Sequence, residues 1–208
     1  FKLWYDYETK VKILNQDGTD HANVSVYLYH EKGQNQVRDV ISKLEAYAYN
    51  MENGKVVKTK MDKSYVFEER ISDNVKQVKF TIPAVKAGTV IEYRYRITSD
   101  FIYNLSDWEI QQNIPVDYAA YEMEVPEYYR FSFDLKGYEK INVDETATNK
   151  RLNIKFKGGQ SETLDCTCRK LTFISQNVPA LKGDSYIWCL DDFRSQASFE
   201  IHGVQYPH

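Results

Sequence analysis

The run Thr89-Val90-Ile91-Glu92-Tyr93-Arg94-Tyr95-Arg96-Ile97-Thr98 decides how this chain is read. Ile91, Tyr93, Tyr95 and Ile97 alternate with Glu92, Arg94, Arg96 and Thr98. Successive side chains of a strand point to opposite faces, so the pattern describes a strand with one buried and one wet face. Burial on one face only is the mark of antiparallel sheet.

The same alternation recurs outward from this run. Ala119, Tyr121, Met123 and Val125 alternate with Ala120, Glu122 and Glu124. Tyr129, Phe131, Phe133 and Leu135 alternate with Arg130, Ser132 and Asp134, and Leu152, Ile154 and Phe156 with Arg151, Asn153, Lys155 and Lys157. Turn signals separate the runs: Asp17-Gly18, Asn53-Gly54, the stretch from Pro83 to Gly88, Gly158-Gly159, and Lys182-Gly183-Asp184 ahead of residues 186–190. Asn-Gly between two alternating runs is the strongest short hairpin signal. Residues 197–201 form the last run. Val37, Val40, Ile41 and Leu44 fall at helical spacing, which predicts a short helix or turn there. About a dozen strands with regular turns predict an all-β fold, a large β-sandwich or curved saddle of antiparallel sheets. No internal repeat or low-complexity linker is present, so one domain over residues 1–208 is expected. The chain begins with Phe1 and reads as a piece of a longer protein.

Composition agrees. Tyrosine, at 17 residues, suits a pleated surface that packs the ring and wets the hydroxyl. A net charge of −3 argues against a general affinity for nucleic acid. No run of 18 apolar residues is present, so no helical membrane span is expected.

The search for chemistry returns little. Cys166 and Cys168 share a face with Leu164 in an alternating run, and Cys189 lies beside Trp188. All three read as small core hydrophobes. A bond between Cys166 and Cys168 is disfavoured by the spacing of about 6.6 Å across two strand residues, while pairing of Cys189 with either stays open. The histidines, at 21, 30, 202 and 208, lack the spacing of a zinc site, and His202 is expected to face solvent. Glu68-Glu69, Asp191-Asp192 and Glu122 with Glu124 are read as solvated acids, not a glycosidase pair. Lys55, Lys58, Lys60 and Lys63 suit a charged edge strand that discourages sheet-to-sheet association. Phosphate-binding glycine motifs are absent. Catalytic, cofactor-binding and metal-binding residues are therefore expected to be none, and no cofactor is implied. Trp4, Trp108, Tyr103 and Tyr118 could build a sugar-stacking platform; the competing reading places such rings in a thick core. Trp108, Tyr103 and Tyr118 are the candidate interaction surface. Sequons stand at Asn23 and Asn104.

A longer pattern carries a resemblance. Asn53-Gly54-Lys55-Val56-Val57 is followed by Val78-Lys79-Phe80-Thr81-Ile82-Pro83-Ala84-Val85-Lys86-Ala87-Gly88, then Val90-Ile91-Glu92-Tyr93-Arg94-Tyr95. Asp107-Trp108, Gln111, Ile114-Pro115-Val116 and Tyr121-Glu122-Met123-Glu124-Val125-Pro126-Glu127 come next. This order resembles the domain of unknown function that precedes transglutaminase-like domains in Gram-negative, Bacteroides-type envelope proteins, over residues from about 10 to about 201. The resemblance implies a secreted or periplasmic location in the cell envelope and a β-rich fold similar to the N-terminal β domain of zinc aminopeptidases. It also implies a following transglutaminase-like, cysteine protease-type domain that holds the catalytic Cys, His and Asp. On that reading this chain is a non-catalytic accessory domain, partnered by the following domain and by an envelope protein or glycan. A stand-alone carbohydrate- or peptide-binding module is the alternative, and an independent cysteine hydrolase ranks last. Within the pattern, the stretch from Pro83 to Gly88 suits a tight connection with Gly88 at positive φ. Trp108 is expected to anchor the core, and Gln111 to satisfy nearby backbone.

Overall fold

A computed structural model describes residues 2–31, 37–155, 161–183 and 189–205. Among them the chain is all-β, with thirteen strands, three short 3-10 helices and no α-helix. All strand pairs are antiparallel. The chain divides into two compact units, Phe1–Ile102 and Tyr103–His208, where the sequence suggested one domain. The junction explains why no boundary was visible. Residues 99–107 contain no Gly or Pro and include Phe101, Ile102 and Leu105, so they carry no linker signature.

Unit 1 holds two sheets. The first has the order β1 (Leu3–Lys12), β7 (Val90–Ser99), β3 (Asp39–Glu52) and β4 (Lys55–Lys60). The second has the order β2 (Asn23–Tyr29), β6 (Val75–Thr81) and β5 (Val66–Arg70). Asn53 (φ 50°) and Gly54 (φ 73°) turn the β3–β4 hairpin, both at the positive φ that a tight two-residue loop requires. The alternation in residues 89–98 is realised: Ile91 is fully buried, while Tyr93, Tyr95 and Ile97 pack against the same core. Ala46 and Ala48 on β3 are also fully buried. Their small side chains let Val78 and Phe80 of the opposite sheet approach, and Phe80 meets Tyr93 edge-on at 5.7 Å.

The helical spacing at Val37, Val40, Ile41 and Leu44 proves misleading, because Asp39–Glu52 is a strand. The register with β7 shifts between Ser42 and Glu45, and Lys43 takes φ 54°. Two residues there oppose one, a β-bulge that resets the alternation and brings Leu44 to the core side out of phase. The Asp17-Gly18 turn is also more than a turn, being a 3-10 helix over Gln16–Ala22 capped by Asn15.

The connection from Pro83 to Gly88 closes as expected, with Gly88 at φ 89°. Its backbone is fastened by a buried polar knot. Thr89 Oγ1 donates to Asn50 Oδ1 at 2.6 Å and accepts from Lys86 N, while Asn50 Nδ2 donates to the Ala84 carbonyl. Buried polar atoms satisfied in this way fix one geometry for the connection.

Unit 2 also holds two sheets: β10 (Tyr129–Lys136), β13 (Gln196–Val204) and β8 (Trp108–Glu109) in one, β11 (Asn142–Lys155), β12 (Ser161–Val178) and β9 (Val116–Pro126) in the other. Its core is aromatic. Phe173, fully buried, lies 5.0 Å from Phe133, 5.5 Å from Phe199 and 6.5 Å from Trp108, and Tyr121 stacks on Phe199 at 5.0 Å. The rings of the two sheets interdigitate in edge-on and offset arrangements favoured by their quadrupoles. A second polar knot lies beside them. The Ser195 hydroxyl oxygen accepts from the N–H groups of Tyr138 and Glu139, and Ser195 O accepts from Ile110 N. Gln111 Nε2 donates to the Pro179 carbonyl, so Gln111 satisfies backbone as expected. Gly137, at φ 88°, passes Ser195 so closely that a Cβ would lie 2.4 Å from its Cα. Phe156, the Gly158-Gly159 turn, Asp184, Tyr186, Trp188 and His208 lie outside the described residues.

Candidate interaction surfaces

The structure does not gather the three residues singled out from sequence. Trp108 packs between Tyr121 and Phe173 at 5.7 and 6.5 Å, an anchor of the unit 2 core and not an open platform. Tyr118 is 58% exposed, and alternation along β9 turns it to the face opposite Tyr121. Tyr103 is 59% exposed, in the segment before β8. Trp4 belongs to unit 1, where it is exposed and covered on one side by the Arg96 guanidinium at 5.2 Å.

A different aromatic face does form. On the three-stranded sheet of unit 1, Val24, Val26 and Leu28 of β2 face the core, which sends Tyr27 and Tyr29 outward. Tyr27 registers with Gln77 of β6, Tyr29 with Val75, and Phe67 of β5 with Lys79. Tyr27, Tyr29 and Phe67 are 52%, 56% and 62% exposed. They occupy both edge strands of one sheet face, about 10 Å across from two strand spacings. Between them lies an ion pair, Lys79 to Glu69 at 2.8 Å, which holds the Glu69 carboxyl below its usual range. Rings flanked by amides and hydroxyls suit flat amphipathic ligands. Sequence reading did not single these residues out, although Asn23 and Ser25 share the parity of Tyr27 and Tyr29 and mark it as the outward one.

The outer face of the four-stranded sheet is different in kind. Its charges neutralise one another in rows: Arg96 with Asp6, Arg94 with Glu45 and Lys10 with Glu92. The lysine-rich hairpin joins this lattice. Lys60 pairs with Glu45, and Lys58 sits 3.9 Å over the Tyr47 ring. β4 is the sheet edge, as a charged anti-association strand should be.

The candidate chemical groups are placed as follows. Glu122 pairs with Lys170 and Glu124 with Lys150. Their carboxylates are neutralised on a solvent-facing sheet surface, and the Lys150 hydrogen bond holds Glu124 below the usual range. Asp191 pairs with Arg194. Among the described residues no three His, Cys, Asp or Glu side chains group as a metal site. His202 is exposed as expected, and its Nε2 lies 2.7 Å from Ser132 Oγ, which is also exposed. This serine–imidazole pair stands on an open strand face. Among the described residues no carboxylate hydrogen-bonds the other ring nitrogen, so nothing there fixes a tautomer for proton transfer. An open depression in unit 2 is bordered by Glu127, Tyr129, Glu145, Thr167, Cys168 and Arg169. Its charges are engaged, Arg169 with Glu145 and Glu127 with the Thr167 N–H. Of the cysteines, Cys189 is exposed and not a core hydrophobe. Cys166 and Cys168 are buried and unbridged, yet alternation sets them on the sheet face opposite Leu171 and Phe173. Asn23 of the first sequon accepts from the Thr81 hydroxyl.

Comparison with known proteins adds a fold and a family. A crystal structure of a putative protease from Parabacteroides distasonis superposes with a TM-score of 0.68 at 14% identity, over 99% of this chain and 37% of that one. The chain thus spans about 37% of the length of the structure it matches. No curated protein matches the sequence. The model of a domain of unknown function with solved structure, DUF3857, matches residues 4–162, running from unit 1 into β12 of unit 2. With more than half its length matched, the chain belongs to the DUF3857 family of domains of unknown function.

Proposed function

We propose that this chain is the non-catalytic accessory region of a longer envelope protein, secreted or periplasmic, whose transglutaminase-like, cysteine protease-type domain performs the chemistry. Its role is to position a substrate or partner for that domain. One observation carries the reading: 99% of the chain matches 37% of a longer protein described as a putative protease. The state of the candidate groups is consistent with it. The carboxylate pairs are neutralised by lysine and arginine, the thiols Cys166 and Cys168 lack an imidazole partner among the described residues, and the Ser132–His202 pair is open to water. A nucleophile needs a base that is itself oriented.

The test compares the longer protein, the same protein lacking this region, and the 208-residue chain alone, each on casein and on a small fluorogenic peptide. The chain alone should be inactive on both. Loss of the region should reduce turnover of casein more than of the small peptide. Peptide hydrolysis by the chain alone at an enzymatic rate, abolished by Cys166→Ala, Cys168→Ala or Cys189→Ala, would overturn the reading.

The exposed Tyr27, Tyr29 and Phe67 favour a second reading, a glycan- or peptide-binding module. Binding of peptidoglycan fragments or extended peptides that is lost in Tyr27→Ala and Phe67→Ala, with the fold intact, would support it. Absence of binding to either class would dismiss it.

A further inference from the structure

Two thiols stand side by side on the sheet face turned away from the unit 2 core. Cys166 and Cys168 lie two residues apart on the central strand β12, so both point to the same face, and their sulfurs are 3.8 Å apart. That face is not the core side: Leu171 and Phe173, of opposite parity, fill the unit 2 core. Even so the cysteines are only 4% and 2% exposed. Register sets Lys150 opposite Cys166, with Thr148 and Pro126 flanking Cys168. Lys150 Nζ reaches Glu124 at 2.7 Å, and Thr148 donates to the same carboxylate. A surface ion pair thus belongs to the wall around a sheltered dithiol, and the Lys150 side chain is half exposed.

The spacing discriminates between the reactions open to two thiols. A disulfide needs sulfurs at about 2.05 Å, and strand residues two apart sit at the upper limit of the permitted Cα separation. A linear two-coordinate cation needs sulfurs roughly twice a metal–sulfur bond apart, at most about 4.6 Å if the zinc–thiolate length of about 2.3 Å is taken as the upper bound. The observed gap must close by nearly half for the first and open by under an ångström for the second. A tetrahedral cation would need further ligands, and no third His, Cys, Asp or Glu joins the pair among the described residues.

We propose that Cys166 and Cys168 form a binding site for a soft monovalent cation such as Cu(I), held linearly between two thiolates. Binding releases both thiol protons: two RSH and one Cu(I) give a bis-thiolate complex of net charge −1 and two protons, with no change of oxidation state. The Lys150 ammonium lies beside the complex to offset that charge, while the Glu124 carboxylate opposes it and Tyr128 borders Cys166. Soft thiolates select such ions over Mg²⁺ or Ca²⁺.

The test uses the reduced 208-residue chain without oxygen, titrated with Cu(I) in competition with bicinchoninate. One Cu(I) per chain should be withheld from the competitor by the wild type and by Cys189→Ser, and none by Cys166→Ser or Cys168→Ser. Because a buried substitution can unfold the strand, the second measurement is made on the unaltered chain: Cu(I) should protect Cys166 and Cys168, but not Cys189, from alkylation mapped by mass spectrometry. Loss of all copper to bicinchoninate by the wild type, copper retained in Cys166→Ser, or protection confined to Cys189 would overturn the proposal.

Discussion

The two units solve one problem with different side chains. Each buries a core between two antiparallel sheets, but unit 1 does so mainly with Ile13, Val26, Leu28, Val78, Ile82 and Ile91 around two alanines. Unit 2 relies on Trp108, Tyr121, Phe131, Phe133, Phe173 and Phe199. Aliphatic packing tolerates a swap that keeps volume, whereas an aromatic cluster loses several ring contacts with one residue. The same contrast explains the aromatic surplus. In unit 2 rings build most of the core; unit 1 buries Phe80 beside Tyr93 and Tyr95 but leaves Tyr27, Tyr29 and Phe67 outside its core, available for recognition.

The largest test of this contrast is truncation of one ring in each unit. Phe173→Ala and Phe80→Ala should each cost about 3–5 kcal/mol, measured by urea denaturation. The aromatic neighbours of Phe173 lie in both sheets of its unit, so its loss should loosen unit 2 throughout. Equal loosening of the two units by either variant would remove the contrast.

Glycine substitutions give a sharper, smaller pair. Gly137→Ala forces a Cβ onto Ser195 at positive φ and should cost about 2–4 kcal/mol, from strain plus displaced backbone. Gly54→Ala also carries positive φ but meets open space, and should cost about 1 kcal/mol. Thermal midpoints of the two variants check the order, and a costlier Gly54→Ala would contradict the close approach at Ser195.

The polar knots come next. Thr89→Val removes a hydroxyl that bridges Asn50 and Lys86 N, and Ser195→Ala strips the acceptor from two backbone N–H groups. Each should cost about 1–3 kcal/mol by urea denaturation, as for a buried group left unsatisfied. A neutral result at Ser195 would mean that water replaces the hydroxyl.

The smallest effect belongs to surface charge. Asp6, Glu45, Glu69, Glu124 and Glu145 are all held below their usual ranges, first by side-chain hydrogen bonds from Arg96, Arg94, Lys79, Lys150 and Arg169 respectively. A carboxyl depressed in the folded state stabilises fully above its ordinary value, and that stability is lost as pH falls through the folded value. Thermal midpoints should therefore fall as pH drops below about 4.5, where the unfolded glutamates start to protonate, and 1 M salt should shrink the slope. Stability that rises on acidification would contradict the pairing pattern.

Much of the fold was legible because period-two alternation is a backbone property. Residues 90–98 and 119–125 lie on β7 and β9 with the faces expected. The bulge at Lys43–Leu44 was hidden because an inserted residue counterfeits helical spacing. The candidate surface was less legible. Trp108 was read both as a platform and as an anchor, and only its contacts with Tyr121 and Phe173 choose the anchor. Tyr27 and Tyr29 share the parity of Asn23 and Ser25, so their outward face was legible by alternation; that Phe67 lies on the same sheet face was not, because the pairing of β2 with β6 is long-range. Cys166 and Cys168 share a face by spacing alone, but that this face is opposite the core follows only from where Leu171 and Phe173 point.

The most direct test of two separate cores is hydrogen exchange by mass spectrometry on Phe173→Ala in the full chain. Exchange should accelerate in β9, β10, β12 and β13 and stay at the wild-type rate in β3, β6 and β7. Equal acceleration in both sets of strands would contradict the division into two cores.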